Sequence, residues 1–401
     1  MQRHRRTLKD LNVAGKRVLL RVDFNLPLEE QGLSAANSND HRLKSVLPTI
    51  QYLESMGSKI ILCSHLGRPE GKAVKELSIK PIANRLARLL NSSVRALDDC
   101  IGPVVEETIS NMLPKEIILL ENLRFYPGEM ENDPEFSKAL ASLADVYILD
   151  AFGVAHRTHA SVVGVGNYLP SAAGILMETE IEMLGKALDN PERPLLALLG
   201  GAKVSDKLLV LKNLLSKVDT LLIGGGMAAN FIKACGLPVG YSKVEHEHQD
   251  FAKTVLQRTR EEGIHIHLPE DVVITKDLNG KLEDSKIVNI DAIPFDHYVA
   301  DIGPKTIIRY VQHMVTPRTV IWSGPMGVFE IEKFAYGTNR IAQALAESDG
   351  VTIIGGGSTA HAIENMGFGD RFSHVSTGGG AMLDFLGGKE LPGIMGLPEK
   401  T

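Results

Sequence analysis

Six basic side chains recur at one kind of place in the first half of the sequence: the end of an apolar run. Arg21 is next to last in RVLLRV (17–22), His65 and Arg68 follow KIILC (59–63), Arg124 follows EIILL (116–120), and His156 and Arg157 follow VYILD (146–150). Guanidinium forks bind phosphate and carboxylate bidentately, so this recurrence predicts a pocket for a small, highly anionic ligand. Asp23 and Asn25, just past the first run, would serve its neutral oxygens. Arg42, beyond the loop QGLSAANSND, is expected at the same edge.

The second half carries a different chemistry. In LLALLGGAKVSDK (195–207) an apolar run stops at Gly200 and Gly201, and Ser205 and Asp206 then open a helix flanked by Lys203 and Lys207. Glycines let the backbone approach an oxyanion, and the first N–H groups of a helix carry partial positive charge. TLLIGGGMAANF (220–231), VTIIGGGSTAHAIE (351–364) and HVSTGGGAMLDFL (374–386) repeat the arrangement of run, glycines and helix. Several amide-donating helix starts suit a polyphosphate such as a nucleotide. GGGMAA and GGGSTA also satisfy the loose dinucleotide pattern G-x-G-x-x-A, which leaves a nicotinamide-dependent dehydrogenase open. No G-x-x-x-x-G-K-[ST] occurs, which removes the ordinary P-loop.

These residues need strands that end together. Between the apolar runs lie stretches with helical spacing, such as LPTIQYLES (47–55) and IKPIANRLARLL (79–90). Alternating strand and helix predicts parallel sheets, whose ligands bind at the carboxyl edge. A chain of 401 residues exceeds one core. The reading is therefore an α/β protein of two domains, each a parallel sheet flanked by helices in a Rossmann-like, three-layer arrangement. SAAGILMETEIEMLGKAL (171–188) reads as one Ser-capped amphipathic helix, and DNPERP after it breaks it. The expected division is residues 1–170, a connecting helix and hinge over 171–190, and residues 191–387.

A net charge of -6 argues against nucleic-acid binding by bulk electrostatics, and no apolar run is long enough to span a bilayer. Cys63, Cys100 and Cys235 are far apart and read as small buried hydrophobes, which fits a cytoplasmic protein. MQRHRR is basic but lacks a following apolar segment, so it reads as a short tail rather than a signal. Glu245, His246, Glu247 and His248, and likewise His265 and His267, lack zinc-site spacing and read as surface or strand-face groups. Trp322, in WSGPMGVFE (322–330), reads as packing.

RVDFNLP, SHLGRP, ENLRFY, DAFGVAHRTHAS, LLGGAKVSDK, IGGGMA, DIGPKT, WSGPMGVFE and HVSTGGGAMLDFLGGKELPGI occur in this order. In this the chain resembles the phosphoglycerate kinases over nearly its whole length. The resemblance implies a monomeric glycolytic kinase, a phosphotransferase with a carboxyl group as acceptor. It would move a phosphoryl group reversibly between 1,3-bisphosphoglycerate and ADP, giving 3-phosphoglycerate and ATP with Mg²⁺, after hinge closure of the two domains. It implies a phosphoglycerate site at Asp23, Phe24, Asn25, Arg42, His65, Leu66, Gly67, Arg68, Arg124 and Arg157. It implies a nucleotide site at Gly201, Lys207, Gly225, Pro269, Glu330, Gly356, Gly357, Ser358 and Thr359. Lys203 and Arg42 would hold the migrating phosphoryl group, with amides presented by Gly378 and Gly379, and the tail over 388–401 would pack back on the first domain.

The chain also departs from that family's pattern. Ser358 stands where an aspartate that ligates Mg²⁺ is usual, Ser323 where asparagine is usual, and Ala300 where glycine is usual. A hydroxyl is a weaker Mg²⁺ ligand than a carboxylate, so altered metal use is expected. A catalytically impaired nucleotide-binding relative is the alternative this leaves.

Overall fold

The computed structural model describes residues 4–26, 41–279 and 285–400. The loop expected to lead into Arg42 (28–40) lies outside them. The chain divides into two compact units, Met1–Glu182 with Glu390–Thr401, and Met183–Lys389.

The first unit is built on β1 (Arg17–Val22), β2 (Lys59–Cys63), β3 (Val94–Ala96), β4 (Ile117–Leu119), β5 (Val146–Asp150) and β6 (Ser171–Ala173). They form one parallel sheet in the order β3-β4-β2-β1-β5-β6. Its central strands are buried on both faces, which is why they read as continuous rather than alternating apolar runs. Helices Leu47–Ser55 and Lys80–Leu90 cover it, burying Ile50, Leu53, Ile82 and Leu86 in the core around Leu20, Leu62 and Ile148.

Ser171 does not cap a helix. Ser171–Ala173 is the edge strand β6, pairing with Tyr147–Leu149, and the helix runs over Ile175–Asp189. Its start is capped instead by Asp150, whose Oδ1 accepts the Met177 N–H at 3.0 Å. The division between the units falls inside this helix.

The terminal residues pair within the first unit. Arg6 N–H donates to Pro398 O (2.8 Å), Lys400 N–H to His4 O (2.9 Å), and the buried Arg5 side chain to Leu397 O (2.9 Å).

The second unit holds β7 (Leu195–Leu199), β8 (Thr220–Ile223), β9 (His265–His267), β10 (Asp271–Thr275), β11 (Lys286–Asn289), β12 (Tyr298–Ile302), β13 (Thr319–Ser323), β14 (Val351–Gly355) and β15 (His374–Val375). Six make a parallel sheet in the order β15-β14-β13-β7-β8-β9. The other three make a small antiparallel sheet, β11-β10-β12. Trp322 is fully buried in the core with Leu198, Ile341 and Ile354, and its indole N–H donates to Gly324 O at 2.8 Å. No helix among the described residues is long and apolar enough to cross a membrane.

Candidate functional site

In each parallel sheet the chain reverses direction of travel beside its first strand, at β1/β5 and at β7/β13. Such switch points open a crevice at the carboxyl edge, and both groups of candidate side chains lie there.

In the first unit β1 delivers Asp23, Phe24 and Asn25, and the loop after β2 delivers His65 to Arg68. These two loops are bolted together. Phe24 N–H donates to Ser64 Oγ (2.9 Å), Gly67 N–H to Asn25 Oδ1 (2.9 Å), and Leu66 N–H to Asn122 Oδ1 (3.2 Å). Asn122 also donates to Leu66 O (2.8 Å), and Arg124 donates to Gly67 O (2.7 Å). Arg68 and Arg157 are exposed, whereas Phe24, His65, Leu66 and Arg124 are buried.

Charge is concentrated at this edge. Arg42 reaches Asp23 at 2.6 Å. Burial pushes the Asp23 carboxyl up, but Arg42 and Arg21, with the Asn25 amide, hold it below its ordinary value. Arg124 is pushed down to about 10 by burial and by the neighbouring Arg21 charge, with Arg157 adding to the effect. Its buried Nε has no hydrogen-bond partner among the described residues. Cations crowded and desolvated in this way lack the negative charge that an anionic ligand would bring.

Arg21, fully buried, is not a ligand group. Its Nε donates to Ser161 Oγ (2.7 Å), Nη1 to Val22 O, and Nη2 to His65 Nδ1 (3.2 Å). His65 is held well below its ordinary value by burial against the opposing Asp23 charge, so it is neutral at pH 7.

In the second unit the glycine turns do different work from that expected. Gly200 N–H donates to Ser323 O (2.9 Å), Gly201 N–H to Pro325 O (2.8 Å), and Gly225 N–H to Met326 O (2.9 Å). These amides are therefore engaged within the protein. What Gly225 supplies is closeness: at its φ of +61° an added Cβ would lie 2.6 Å from the Gly201 nitrogen. The helix start at Ser205 is likewise occupied, because Glu245 accepts Val204 N–H at 2.6 Å and Ser205 N–H at 3.1 Å.

The cations of this turn remain. Lys207 is buried with its Nζ against Gly201, where an added Cβ would lie 3.1 Å from it. Burial lowers its affinity for a proton, the Asp206 charge opposing, and no ion pair among the described residues neutralises it. Lys203 is exposed.

Two helix starts supply the amides instead. Helices Gly357–Asn365 and Gly379–Leu386 begin side by side, since a Cβ on Gly379 would lie 3.0 Å from the Gly357 nitrogen. Gly357 and Ser358 are exposed there, Gly378 is buried and donates weakly to Ser376 Oγ (3.3 Å), and Gly356 turns the chain at φ +95°. Thr359 is buried and its hydroxyl accepts the Gly324 N–H at 2.8 Å, so it ties the turn after β13 to this helix.

A cavity of about 460 Å³ adjoins these turns. It brings together Gly201, Lys203, Gly225, Glu330 and Ser358, with Ala300, Met326 and Val328 as apolar wall. Tyr241 and Tyr298 also line it, their ring centroids 5.6 Å apart. Pro269 is buried in the link from β9 to β10 and is not part of this lining.

The donors for a divalent cation are sparse. Asp301 is pushed up to about 7 by burial, and its two oxygens accept Gly337 N–H (2.6 Å) and Ile302 N–H (2.9 Å). Ser358 offers a neutral hydroxyl and Glu330 an exposed carboxylate. Mg²⁺ prefers carboxylate and phosphate oxygens, so these residues do not form a charged metal anchor at the helix start.

Comparison with known proteins decides the family. The phosphoglycerate kinase family model matches residues 8–389. The chain belongs to the phosphoglycerate kinase family. The phosphoglycerate kinase of Moorella thermoacetica is 50% identical over 394 residues, covering 98% of this chain and 99% of that protein. That of Dictyoglomus turgidum is 52% identical over 394 residues, covering 98% of each. The solved phosphoglycerate kinases of Coxiella burnetii and Pyrococcus horikoshii OT3 are 41% and 33% identical, with TM-scores of 0.84 and 0.85 over 98% of this chain and of each of theirs. This phosphoglycerate kinase match spans both glycine-rich turns that had left a dehydrogenase open, and it closes that reading. No observation favours a catalytically impaired relative.

Among residues outside the sequence-derived set, Asn122 clamps the Leu66 loop, Glu245 occupies the Ser205 helix start, and the two tyrosines wall the cavity. Asn122 carried a signal, since it lies just past the β4 run and two residues before Arg124. Glu245, Glu247 and His248 do place ligand atoms within 4.8 Å of one another. Glu245, however, is already committed to the Ser205 turn.

Proposed function

We infer that this chain catalyses reversible phosphoryl transfer between 1,3-bisphosphoglycerate and ADP, giving 3-phosphoglycerate and ATP. The observation that carries the reading is the pair of desolvated, under-neutralised cations at two sheet edges: Arg124 in the first unit and Lys207 in the second. Each edge suits one anionic substrate.

In this reading the phosphoglycerate lies among Arg42, His65, Arg68, Arg124 and Arg157, oriented by Asp23 and Asn25 and by the Phe24, Leu66 and Gly67 backbone. The nucleotide phosphates lie at Lys207 and at the Gly356–Thr359 and Gly378–Gly379 helix starts. Its base and ribose enter the cavity past Gly225 toward Glu330. Lys203 and Arg42 stabilise the phosphoryl group in flight, which spreads negative charge over its equatorial oxygens. The acceptor carboxylate is ionised at pH 7, so no general base is needed. Ser358 would offer Mg²⁺ only a neutral hydroxyl, so the nucleotide's own phosphates would hold the ion, which would supply charge neutralisation there. In-line transfer then calls for a hinge motion that excludes water, with the Ile175–Asp189 helix and the returning tail as its hinges. A cytoplasmic monomer is the expected state.

A coupled assay tests the reading. Turnover must require both ATP and 3-phosphoglycerate; no turnover with both present, at any Mg²⁺ concentration, rejects it.

A further inference from the structure

His65 is a neutral imidazole amid the cations of the first edge, and what it can donate depends on which ring nitrogen carries the proton. Arginine has five donors and no acceptor. Because Arg21 Nη2 points at His65 Nδ1 at 3.2 Å, Nδ1 must accept and the proton must sit on Nε2. Asp23 Oδ1 lies 3.9 Å from the same nitrogen, too far to compete as a hydrogen-bond acceptor.

Arg21 is itself held in one orientation. Its Nε donates to Ser161 Oγ at 2.7 Å, and that hydroxyl donates onward to Glu129 Oε1 at 2.6 Å. Glu129 Oε2 accepts the Ser161 N–H at 2.9 Å. Glu129, Ser161 and Arg21 are all fully buried. A buried carboxylate without pairing is costly, so its presence at the end of this line calls for a reason. Burial pushes the Glu129 carboxyl up, opposed by the Arg21 charge, the two Ser161 hydrogen bonds and the Arg124 charge, with His159 Nδ1 3.7 Å from Oε1 on its other side.

We propose that Glu129 is a positioning residue: through Ser161 it fixes the Arg21 guanidinium, and Arg21 fixes His65 as the Nε2–H tautomer that donates to the anionic substrate. Arg21 can only donate, so its contact with His65 leaves Nδ1 as the acceptor and Nε2 as the donor before the ligand arrives. The link to substrate rests on the function proposed above; the link to tautomer does not.

The test separates the two. Nitrogen NMR of the full-length protein, with His65 assigned through His65→Gln, reads the tautomer directly, without substrate. The wild type is expected to show a pyridine-type Nδ1 and a pyrrole-type Nε2. Glu129→Gln and Ser161→Ala are expected to mix the tautomers and to raise KM for 3-phosphoglycerate about 10- to 100-fold, with KM for ATP unchanged. Should Glu129→Gln not fold, Ser161→Ala removes only the bridging oxygen and carries the same expectation. A wild-type Nδ1–H tautomer overturns the proposal, as does an unchanged tautomer in Ser161→Ala. Absent turnover in a wild type with the expected tautomer rejects the function and leaves the tautomer assignment standing.

Discussion

Glu245 accepts both the hydroxyl and the N–H of Ser205, at 2.5 and 3.1 Å. The turn between Gly201 and Lys207, which carries both lysines of the proposed nucleotide site, is thus braced by a carboxylate 40 residues further along the chain. Removing that carboxylate leaves two amides unsatisfied at a helix start. Glu245→Ala is expected to destabilise the protein by about 1–2 kcal/mol in denaturant unfolding. KM for ADP should rise, and Glu245→Gln should recover much of the stability because its carbonyl can still accept.

Lys203 is exposed at the cavity, in contrast to the buried Lys207. An exposed lysine contributes little to ground-state binding and much to a transition state that gathers charge near it. Lys203→Ala should lower kcat by about 100- to 1000-fold while changing Kd for ADP by less than about 3-fold. Equal losses in both would assign Lys203 to ground-state binding.

Asp150 gives stability a pH dependence. Burial pushes its carboxyl up to about 7, against the hydrogen bonds from Thr49, Met177 and Leu176. Between the ordinary carboxylate value and about pH 7 the folded state therefore holds a proton that the unfolded state has lost. This group's contribution to stability must fall as pH rises through that window, with a slope of at most about 1.4 kcal/mol per pH unit. Asparagine can still cap the helix but cannot titrate. Urea unfolding at pH 5 and pH 7.5 should show a smaller difference for Asp150→Asn than for the wild type.

At Ser358 a carboxylate would supply the charged ligand that the helix start lacks. Ser358→Asp should lower the Mg²⁺ concentration needed for half-maximal ADP binding in a calorimetric titration. An unchanged Mg²⁺ dependence would mean that the hydroxyl is no handicap.

How much of this was legible in the sequence varied with the range of the interaction. The strand over residues 17–22 and the helix over 47–55 coincide with their apolar patterns, because buried parallel strands and amphipathic helices write themselves locally. The β11 strand, Lys286–Asn289, is mostly exposed and carries no such pattern, so the small antiparallel sheet was not foreseen. At Ser171 a capping residue type sits on an edge strand, and the real cap, Asp150, comes from 27 residues upstream of Met177. Glu129 carries no local signal at all in the sequence, and Glu245 reads there as a surface group. They are committed to Ser161 and Ser205 by contacts 32 and 40 residues away in the chain, which no local spacing records.

The central claim is that two under-neutralised cations, one in each unit, serve two different substrates. Arg124→Met and Lys207→Met each keep a long side chain and remove one charge, so paired steady-state kinetics on both variants test it most directly. The account predicts that Arg124→Met raises KM for 3-phosphoglycerate at least about 10-fold with KM for ATP unchanged, and that Lys207→Met does the reverse. Contradiction would come from either variant raising both KM values equally, or from each raising the other's.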